Sequence, residues 1–236
     1  MRLLFILLLS SLTACGTSGT GVSRPSDLAA ETNVKPGINE SWRSADIDPL
    51  IGRLETESRE IFQYRGLIGA VAGPREGSVV ADVGAGSGFM THLFSRMVGP
   101  GGKVIAVDIN QTLLDHIRDG AAERGLANIE TVLCTEKSVE LPAESVDMVF
   151  LCDTYHHFEF PKNSLSTIHA ALRPGGQLVL VEFDRIPGVS SEWLLGHVRA
   201  PKAVFRAEIE EAGFTLLSEH PLEELEQNYI LRFVRD

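Results

Sequence analysis

Disulfides, positive charge and long apolar runs are all scarce in this chain of 236 residues. Its three cysteines are too few for the disulfide framework that stabilises small secreted domains. Its formal net charge of −11 disfavours binding to nucleic acid or to anionic lipid through a basic patch. The apolar run near the N-terminus is too short to span a bilayer. The sequence therefore does not favour a disulfide scaffold or a nucleic-acid-binding protein, and this run does not form a membrane-spanning helix.

The N-terminus instead has the features of an export signal. The stretch MRLLFILLL supplies one positive charge and an apolar core, and small residues follow it, as in secretory signals. The tetrad LTAC, which ends at Cys15, resembles the bacterial lipobox, whose cysteine carries lipid chains in the mature protein. We therefore expect a signal peptide over residues 1–15 and a lipid anchor on Cys15, on the periplasmic side of a bacterial cell envelope. A buried N-terminal strand or helix is the alternative, and with an unprocessed signal the protein would stay cytoplasmic.

Two regions follow this leader. Residues 16–40 are rich in Gly, Ser, Thr and Pro and lack apolar periodicity, which predicts a flexible tether. Residues 41–236 are long enough for one well-cored domain. Apolar residues between 46 and 72 recur at near-helical spacing, which predicts one or two helices at the start of this domain.

From residue 78 onward, short β-branched runs alternate with amphipathic stretches, the pattern of βα units in a parallel sheet. The predicted strands are 78–83, 103–107, 129–133, 146–151, 177–183, 214–219 and 229–234. The predicted helices are 87–97, 110–124, 162–172 and 202–212. The last two strands have no helix between them, so we expect them to be antiparallel.

A glycine-rich loop, VVADVGAGSGF, joins the first predicted strand to the first of these helices. Gly84, Gly86 and Gly88 let the backbone approach a ligand beside exposed helix N–H groups. Asp108 ends the next strand, from where a carboxylate reaches ribose hydroxyls. Dinucleotides and S-adenosylmethionine both use such a site. Asp82 favours the second, because its charge repels a pyrophosphate and attracts the cationic methionine end of S-adenosylmethionine.

Four segments follow one another in the order VVADVGAGSGF, VIAVDIN, LPAESVDMVFLCDTYHHF and ALRPGGQLVLVEF. In this order they resemble the successive motifs of class I S-adenosylmethionine-dependent methyltransferases, of the methyltransferase-11/UbiE-like type. The resemblance covers roughly residues 60–235. It implies an α/β fold with a Rossmann-like, mostly parallel seven-stranded sheet. The implied strand order is 3-2-1-4-5-7-6, with strand seven antiparallel and helices on both faces.

The resemblance also implies which residues bind the cofactor, S-adenosyl-L-methionine. They are Asp82, Gly84, Ala85, Gly86 and Gly88 at the methionine end, Asp108 at the ribose hydroxyls, Ile109 and Glu136 at the adenine, and Asp153 on the side shared by methionine and substrate. Glu136 is a departure from the family pattern, since Cys134-Thr135-Glu136 stands where Gly-Asp-Ala is usual.

The segment DTYHHF, residues 153–158, contains the catalytic candidates Tyr155, His156 and His157. Methyl transfer from a sulfonium is an in-line displacement, so much of the catalysis consists of holding the acceptor and the methyl group collinear. A histidine would act as a base only for a protonated acceptor. Alternatively, one histidine caps the following helix or bonds internally. No metal site is predicted, because adjacent residues on an extended segment point in opposite directions and no ligand pattern surrounds them.

The rim of the pocket and the two remaining cysteines complete these expectations. The segment after strand five offers Trp193, Leu194, Leu195 and His197 as rim residues, and the N-terminal helices offer Tyr64 and Arg65. Ordinary core packing is the alternative for Trp193. Cys134 and Cys152 end strands that are three positions apart in the expected sheet, which is too far for a disulfide.

The sequence thus predicts a methyltransferase that moves a methyl group from S-adenosylmethionine to a small or lipophilic acceptor. A lipid-anchored, non-catalytic S-adenosylmethionine-binding module is one alternative. An NAD-linked oxidoreductase is another, which Asp82 disfavours. The acceptor atom, whether O, N, C or S, cannot be identified from these residues.

Overall fold

A seven-stranded sheet is the centre of the fold in the computed structural model, which describes residues 30–44 and 46–236. The predicted signal peptide and Cys15 lie outside the described residues. The strand order is β3-β2-β1-β4-β5-β7-β6. β7 runs antiparallel to both of its neighbours, whereas the other pairs are parallel. The predicted fold class and strand order are confirmed.

The strands are β1 (Val79–Val83), β2 (Lys103–Asp108), β3 (Ile129–Leu133), β4 (Val146–Cys152), β5 (Leu172–Phe183), β6 (Phe214–Glu219) and β7 (Asn228–Arg235). The helices are α1 (Asp48–Leu54), α2 (Glu60–Gln63), α3 (Arg65–Ala72), α4 (Phe89–Val98), α5 (Gln111–Glu123), α6 (Pro161–Ala171), α7 (Glu192–His197) and α8 (Lys202–Glu211). Short 3₁₀ turns cover Glu40–Arg43 and Tyr155–His157.

Both faces of the sheet are covered, which explains why the central strands read as continuous apolar runs. Side chains alternate between the faces along each strand. Val80 and Phe150 pack with residues of α3 and α4, while Ala81 and Val149 pack with residues of α6 and α8. The loops that leave the carboxyl ends of the parallel strands therefore meet at one edge of a well-packed core.

β5 begins earlier than the sequence predicts. The sequence predicts a strand from residue 177, but the segment LRPGGQ, residues 172–177, already belongs to β5. The pairing with β4 moves from Val146 opposite Leu172 to Met148 opposite Gln177, so extra residues of β5 form a bulge there. Gly175 supplies a positive φ of 75° within it. A bulge tolerates the proline and glycines that would disrupt a regular strand.

Residues 30–40, which the sequence places in a tether, contact the domain. The backbone N–H of Val34 donates to the carbonyl of Glu159, and the Glu31 carboxylate accepts from the first turn of α6. The Asn39 amide donates to the carbonyl of His157 over 3.0 Å. This part of the chain therefore lies beside the carboxyl edge of the sheet. Among the residues described, no helix has the length and apolarity needed to cross a bilayer.

Candidate functional site

A cleft opens at the carboxyl ends of β1, β2 and β4. β1 lies between the other two, so this is the switch point where open α/β sheets bind ligands. The empty volume, which includes solvent at the mouth, is about 800 Å³. Its lining residues are Asn39, Trp42, Leu54, Arg59, Val83, Gly84, Gly86, Asp108, Ile109, Cys134, Thr135, Glu136, Ser138, Val139, Cys152, Asp153, Thr154, His157, Phe158 and Ser164.

The loop after β1 forms one wall, and its glycines cannot be replaced without steric conflict. Gly84, Gly86 and Gly88 all have positive φ, which L side chains rarely adopt. A Cβ at Gly84 would overlap the side chain of Thr154, and one at Gly88 would lie 2.6 Å from Ile117. The loop thus presents backbone, rather than side chains, to anything bound in the cleft.

Asp108 lies at the end of β2 and faces the cleft. Its carboxylate accepts from the backbone N–H of Gly86 over 3.0 Å and from that of Asn110 over 2.9 Å. Burial raises the pKa of this carboxyl. A carboxylate offers about four acceptor positions, so acceptor capacity remains for a hydroxyl group of a ligand.

Asp82 lies behind the glycine loop rather than on the cleft surface. Its side chain is 3% exposed, and it accepts a 2.6 Å hydrogen bond from the Thr91 hydroxyl of α4. Burial raises its pKa to about 6, against the lowering effect of that hydrogen bond. The Asp82 carboxylate can therefore act on a ligand in the cleft only electrostatically, across the loop, and not by direct contact.

Arg59 and Asp153 form an ion pair in the cleft wall. Arg59 Nη2 lies 2.6 Å from Asp153 Oδ2, and the Asn228 amide donates to Asp153 Oδ1 over 2.6 Å. Asp153 has a φ of 48°. This positive φ and the two partners fix the carboxylate at the end of β4. Arg59 precedes α2, and no periodicity or motif in the sequence marked it.

The 3₁₀ turn Glu40–Arg43 lies at the cleft, and its Trp42 belongs to the lining. Asn110 donates to the carbonyl of Trp42 over 2.7 Å, which ties the turn to the start of α5. Arg43 pairs with Glu136 at 2.5 Å on the surface. Sequence reasoning missed Trp42 and Asn39, since a contact between residues so far apart leaves no spacing signal.

The two cysteines at the cleft are free within the described residues. Burial raises the pKa of Cys134 to about 12 and that of Cys152 well above its ordinary value. Their strand ends are separated by β2 and β1, in agreement with the expectation that they cannot bridge.

Tyr155 is fully buried and turned toward α8, away from the cleft lining. Its hydroxyl donates to Glu208 over 2.7 Å, and Arg199 holds the same carboxylate through two hydrogen bonds. Its place in the fold is that of a core residue that joins the end of β4 to α8, so nothing in this geometry supports its predicted catalytic role.

The two neighbouring histidines differ in exposure. His156 is 1% exposed and donates from Nδ1 to Glu182 over 2.8 Å. His157 lines the cleft, and its edge contacts the Trp42 ring at a centroid distance of 5.6 Å. Burial and the adjacent His156 lower the pKa of His157 to about 2. A group with so low a pKa is a weak proton acceptor, which disfavours the predicted base at this position.

The sequence-predicted site residues divide into two groups in the structure. Those that line the cleft are Gly84, Gly86, Asp108, Ile109, Glu136, Asp153 and His157. Those that lie behind or beside it are Asp82, Ala85, Gly88, Tyr155 and His156. The second group supports the loop or the core, and a direct ligand contact by any of its members stays a prediction.

The predicted rim residues do not belong to the cleft lining. Trp193 is 61% exposed and stacks on His197 with ring centroids 4.7 Å apart. Leu194 is buried in the core. On the N-terminal side, Leu54 and Arg59 reach the cleft in place of Tyr64 and Arg65.

Comparison with known proteins agrees with this geometry. Residues 80–176 match the family described as "Methyltransferase domain". The chain is 35% identical over 115 residues to the ubiquinone/menaquinone biosynthesis C-methyltransferase UbiE of Hahella chejuensis, covering 48% of this chain and 46% of that protein. With the corresponding protein of Pseudomonas entomophila it shares 33% identity over 116 residues, 49% of this chain and 45% of that one. The chain thus spans about half the length of the curated relatives it matches.

Solved structures share the fold at low sequence identity. A SAM-dependent methyltransferase from Aquifex aeolicus superposes with a TM-score of 0.70 at 24% identity, over 79% of this chain and 97% of that one. The [4+2]-cyclase SpnF superposes with a TM-score of 0.63 at 17% identity, over 73% and 81% of the two chains. Phosphoethanolamine N-methyltransferase 2 of Haemonchus contortus in complex with S-adenosyl-L-methionine superposes with a TM-score of 0.59 at 17% identity. The superposition covers 73% of this chain and 51% of that one.

Together, the family match, the relatives and the strand order support the predicted class: the segment 80–176 is similar to a methyltransferase domain, and the described residues have the Rossmann-like fold of class I methyltransferases.

Proposed function

We propose that this protein is a class I S-adenosylmethionine-dependent methyltransferase that acts on a small or lipophilic acceptor. The observation that carries the proposal is the cleft itself, where a side-chain-free glycine loop, the acceptor-bearing Asp108 and the Arg59–Asp153 pair meet at the switch point of the sheet. The sequence match of residues 80–176 to a methyltransferase domain supports the same conclusion.

The residues present fit S-adenosylmethionine at each of its parts. The missing side chains at Gly84 and Gly86 let the backbone of the loop approach the methionine end closely. Asp108 has acceptor capacity left for a ribose hydroxyl. Ile109 and Val139 supply apolar surface at the adenine side. Asp82 and Arg59 supply the opposite charges that a zwitterionic amino-acid end requires.

Catalysis then depends on positioning more than on proton transfer. When bound, S-adenosylmethionine supplies an electrophilic methyl group on its sulfonium. The chain's own contribution is to fix the acceptor in line with that methyl group, which supplies much of the rate enhancement in such displacements. Trp42, Phe158 and His157 line the cleft, and their rings exclude water and orient the acceptor.

The lining favours an apolar acceptor. Trp42, Leu54, Val83 and Phe158 are among its apolar residues. The relatives are named for ubiquinone/menaquinone biosynthesis, which agrees with an acceptor of lipophilic, aromatic character. Because the fold also hosts the cyclase SpnF, transfer has to be measured separately from binding.

Calorimetry with S-adenosylmethionine, S-adenosylhomocysteine and NAD tests the cofactor. We expect the first two to bind and NAD not to bind. Asp108→Asn should weaken the binding of both by about tenfold or more, since hydrogen bonds to a charged acceptor contribute about 1.5–3 kcal/mol. Asp115→Asn, a change of the same kind on α5 outside the cleft, should bind as the unaltered protein does.

Turnover requires a second assay, in which cell extract is incubated with methyl-labelled S-adenosylmethionine and the products are resolved by mass. A labelled product that is lost with Asp108→Asn and retained with Asp115→Asn would support transfer. Tight binding of S-adenosylmethionine without any labelled product would favour the non-catalytic binding module. Binding of NAD alone would contradict the proposal.

A further inference from the structure

Three histidines from two segments converge beside the cleft. His156 and His157 lie in the 3₁₀ turn after β4, and His197 ends α7. One ligand nitrogen of each lies within 4.8 Å of the other two. The rings of His156 and His157 are 4.3 Å apart between centroids, and the ring of His156 is 4.9 Å from that of His197. The helical turn therefore brings together two side chains that an extended segment would have separated.

Two of these imidazoles have a buried nitrogen without a hydrogen-bond partner among the described residues. These atoms are Nε2 of His156 and Nδ1 of His157. A buried polar atom without a partner destabilises the fold, so such atoms are uncommon unless water or a ligand satisfies them. Within a cluster of three imidazoles, they point to a bound group that accepts nitrogen lone pairs.

Glu182 fixes which nitrogen of His156 is available. Its carboxylate is 0% exposed and accepts from His156 Nδ1 over 2.8 Å and from the His156 backbone N–H over 3.1 Å. The proton therefore lies on Nδ1, and Nε2, which is buried without a partner among the described residues, carries a lone pair. A carboxylate behind a histidine in this way is the usual support of a metal-ligating imidazole.

The third ring is also held in place. His197 stacks on Trp193 with an interplanar angle of 17°. Its ring centroid lies 4.9 Å from that of His156 and 5.2 Å from that of His157.

We propose that His156, His157 and His197 form a binding site for one divalent transition-metal ion, with zinc as its reference ion. Three histidines are a complete protein ligand set for zinc and leave a fourth position for water or an oxygen of a small molecule. Imidazole also suits copper, iron and nickel, whereas magnesium and calcium prefer oxygen ligands. In a tetrahedral site with bonds of about 2.05 Å the nitrogens are about 3.3 Å apart. Nitrogens that now lie within 4.8 Å of one another therefore have to approach by up to about 1.5 Å on binding.

The charges around the site are balanced. Glu182 is the anion behind His156. Lys35 is a neighbouring cation, and the carbonyls of Gly196 and His197 hold its ammonium group at 2.8 and 2.7 Å. Lys35 opposes a divalent ion, while Glu182 favours it. Because His157 also lines the cleft, the site borders the region where the proposed acceptor binds, but metal binding itself does not depend on methyl transfer.

The test uses the full chain, purified without a polyhistidine tag and freed of metal with a chelator. Zinc binding is measured by calorimetry, and cobalt(II) serves as a spectroscopic probe because its visible absorption reports tetrahedral coordination. We expect one zinc ion per chain and an intense visible cobalt band. His197→Ala should weaken zinc binding at least tenfold and abolish the band, whereas His116→Ala, on α5 outside the cluster, should preserve both.

Glu182→Gln gives a second, independent readout. Loss of the supporting carboxylate should weaken zinc binding by about 10–100-fold and leave the cobalt band at saturating ion. Thermal unfolding of each variant checks that it is folded. If His197→Ala does not fold, the zinc affinity of Glu182→Gln is the test of the proposal. Failure of the unaltered chain to bind zinc, or equal zinc affinity of the unaltered chain and the folded cluster variants, would overturn the proposal. Because these measurements need no S-adenosylmethionine, they are separable from the test of the proposed function.

Discussion

At the scale of single residues, the glycine loop makes the sharpest prediction. Gly84→Ala places a methyl group against Thr154 at a φ of 72°. Both the strained backbone and the overlap should lower the free energy of unfolding by about 2–4 kcal/mol in total. The added methyl also narrows the cleft, so affinity for S-adenosylmethionine should fall sharply. Chemical denaturation and calorimetry measure the two effects.

Gly77→Ala is the matched control for this change. Gly77 has a similar φ of 77°, but a Cβ there meets nothing within 4 Å. Gly77→Ala should lower the free energy of unfolding by about 1 kcal/mol, because only the backbone is strained. Its affinity for S-adenosylmethionine should be unchanged. If Gly84→Ala binds S-adenosylmethionine as Gly77→Ala does, the loop does not approach the ligand.

Asp82 predicts opposite effects of pH on stability and on binding. Its folded pKa of about 6 lies above its ordinary value of 3.8, so the folded protein takes up a proton as the pH falls through 6. This group should therefore make the ligand-free protein more stable at pH 5 than at pH 7, by about 1 kcal/mol. Protonation also removes the charge that attracts the cationic end of the ligand, so affinity should fall by up to about tenfold over the same range.

Asp82→Asn is the reference for both effects. Thermal unfolding without ligand and calorimetry with S-adenosylmethionine, each at pH 5 and pH 7, should show a smaller pH response in this variant than in the unaltered protein. The comparison isolates Asp82 from Asp108, whose pKa burial also raises. Identical pH responses of the two proteins would contradict the assignment.

At the scale of elements, the connection between the end of β4 and α8 depends on Tyr155. Tyr155→Phe removes the hydroxyl that donates to Glu208 and leaves Arg199 in place. We expect the free energy of unfolding to fall by about 1 kcal/mol. This corresponds to a fall of about 2–4 °C in the unfolding midpoint for a domain of this size. Methyl transfer should change less than twofold, since the hydroxyl faces α8.

Tyr64→Phe, at the start of α3 and outside this network, is the control for loss of a tyrosine hydroxyl. A large loss of turnover in Tyr155→Phe, with the unfolding midpoint unchanged, would restore the catalytic role that the sequence suggested for Tyr155.

The elements of the sheet were largely predictable because each central strand is buried on both faces and therefore apolar throughout. β1 and β3 were predicted to within one residue at each end. The start of β5 was not predicted. Pro174 and Gly175 are typical turn residues, and the sequence alone does not show which strand lies beside them. The bulge opposite Val146 that accommodates them is a property of strand pairing rather than of local sequence.

The site was predictable only where one motif holds several of its residues. Gly84, Gly86 and Asp108 follow from a strand–loop–helix pattern. Arg59 and Trp42 reach the cleft from the N-terminal segment, and their contacts depend on how that segment docks. The histidine cluster likewise needs His197 from α7, a helix that was not predicted.

At the scale of the whole molecule, the open matter is where the protein resides. Cys15 lies outside the described residues, so its lipid anchor remains a proposal based on the leader sequence. We expect the unaltered protein to fractionate with bacterial membranes and to incorporate labelled palmitate. Cys15→Ala should lose the label and leave the membrane fraction, whereas Ser18→Ala, in the adjoining tether, should do neither. Membrane fractionation of Cys15→Ala like that of the unaltered protein would count against the anchor.

The two thiols at the cleft bear on that location. Thiolates, not thiols, are the nucleophiles that react with oxidants and disulfides, and the raised pKa values of Cys134 and Cys152 favour the protonated thiols. Each is separated from the other by two strands and cannot be protected by pairing. The raised pKa values therefore slow the reaction of both cleft thiols with oxidants, whichever compartment holds the protein.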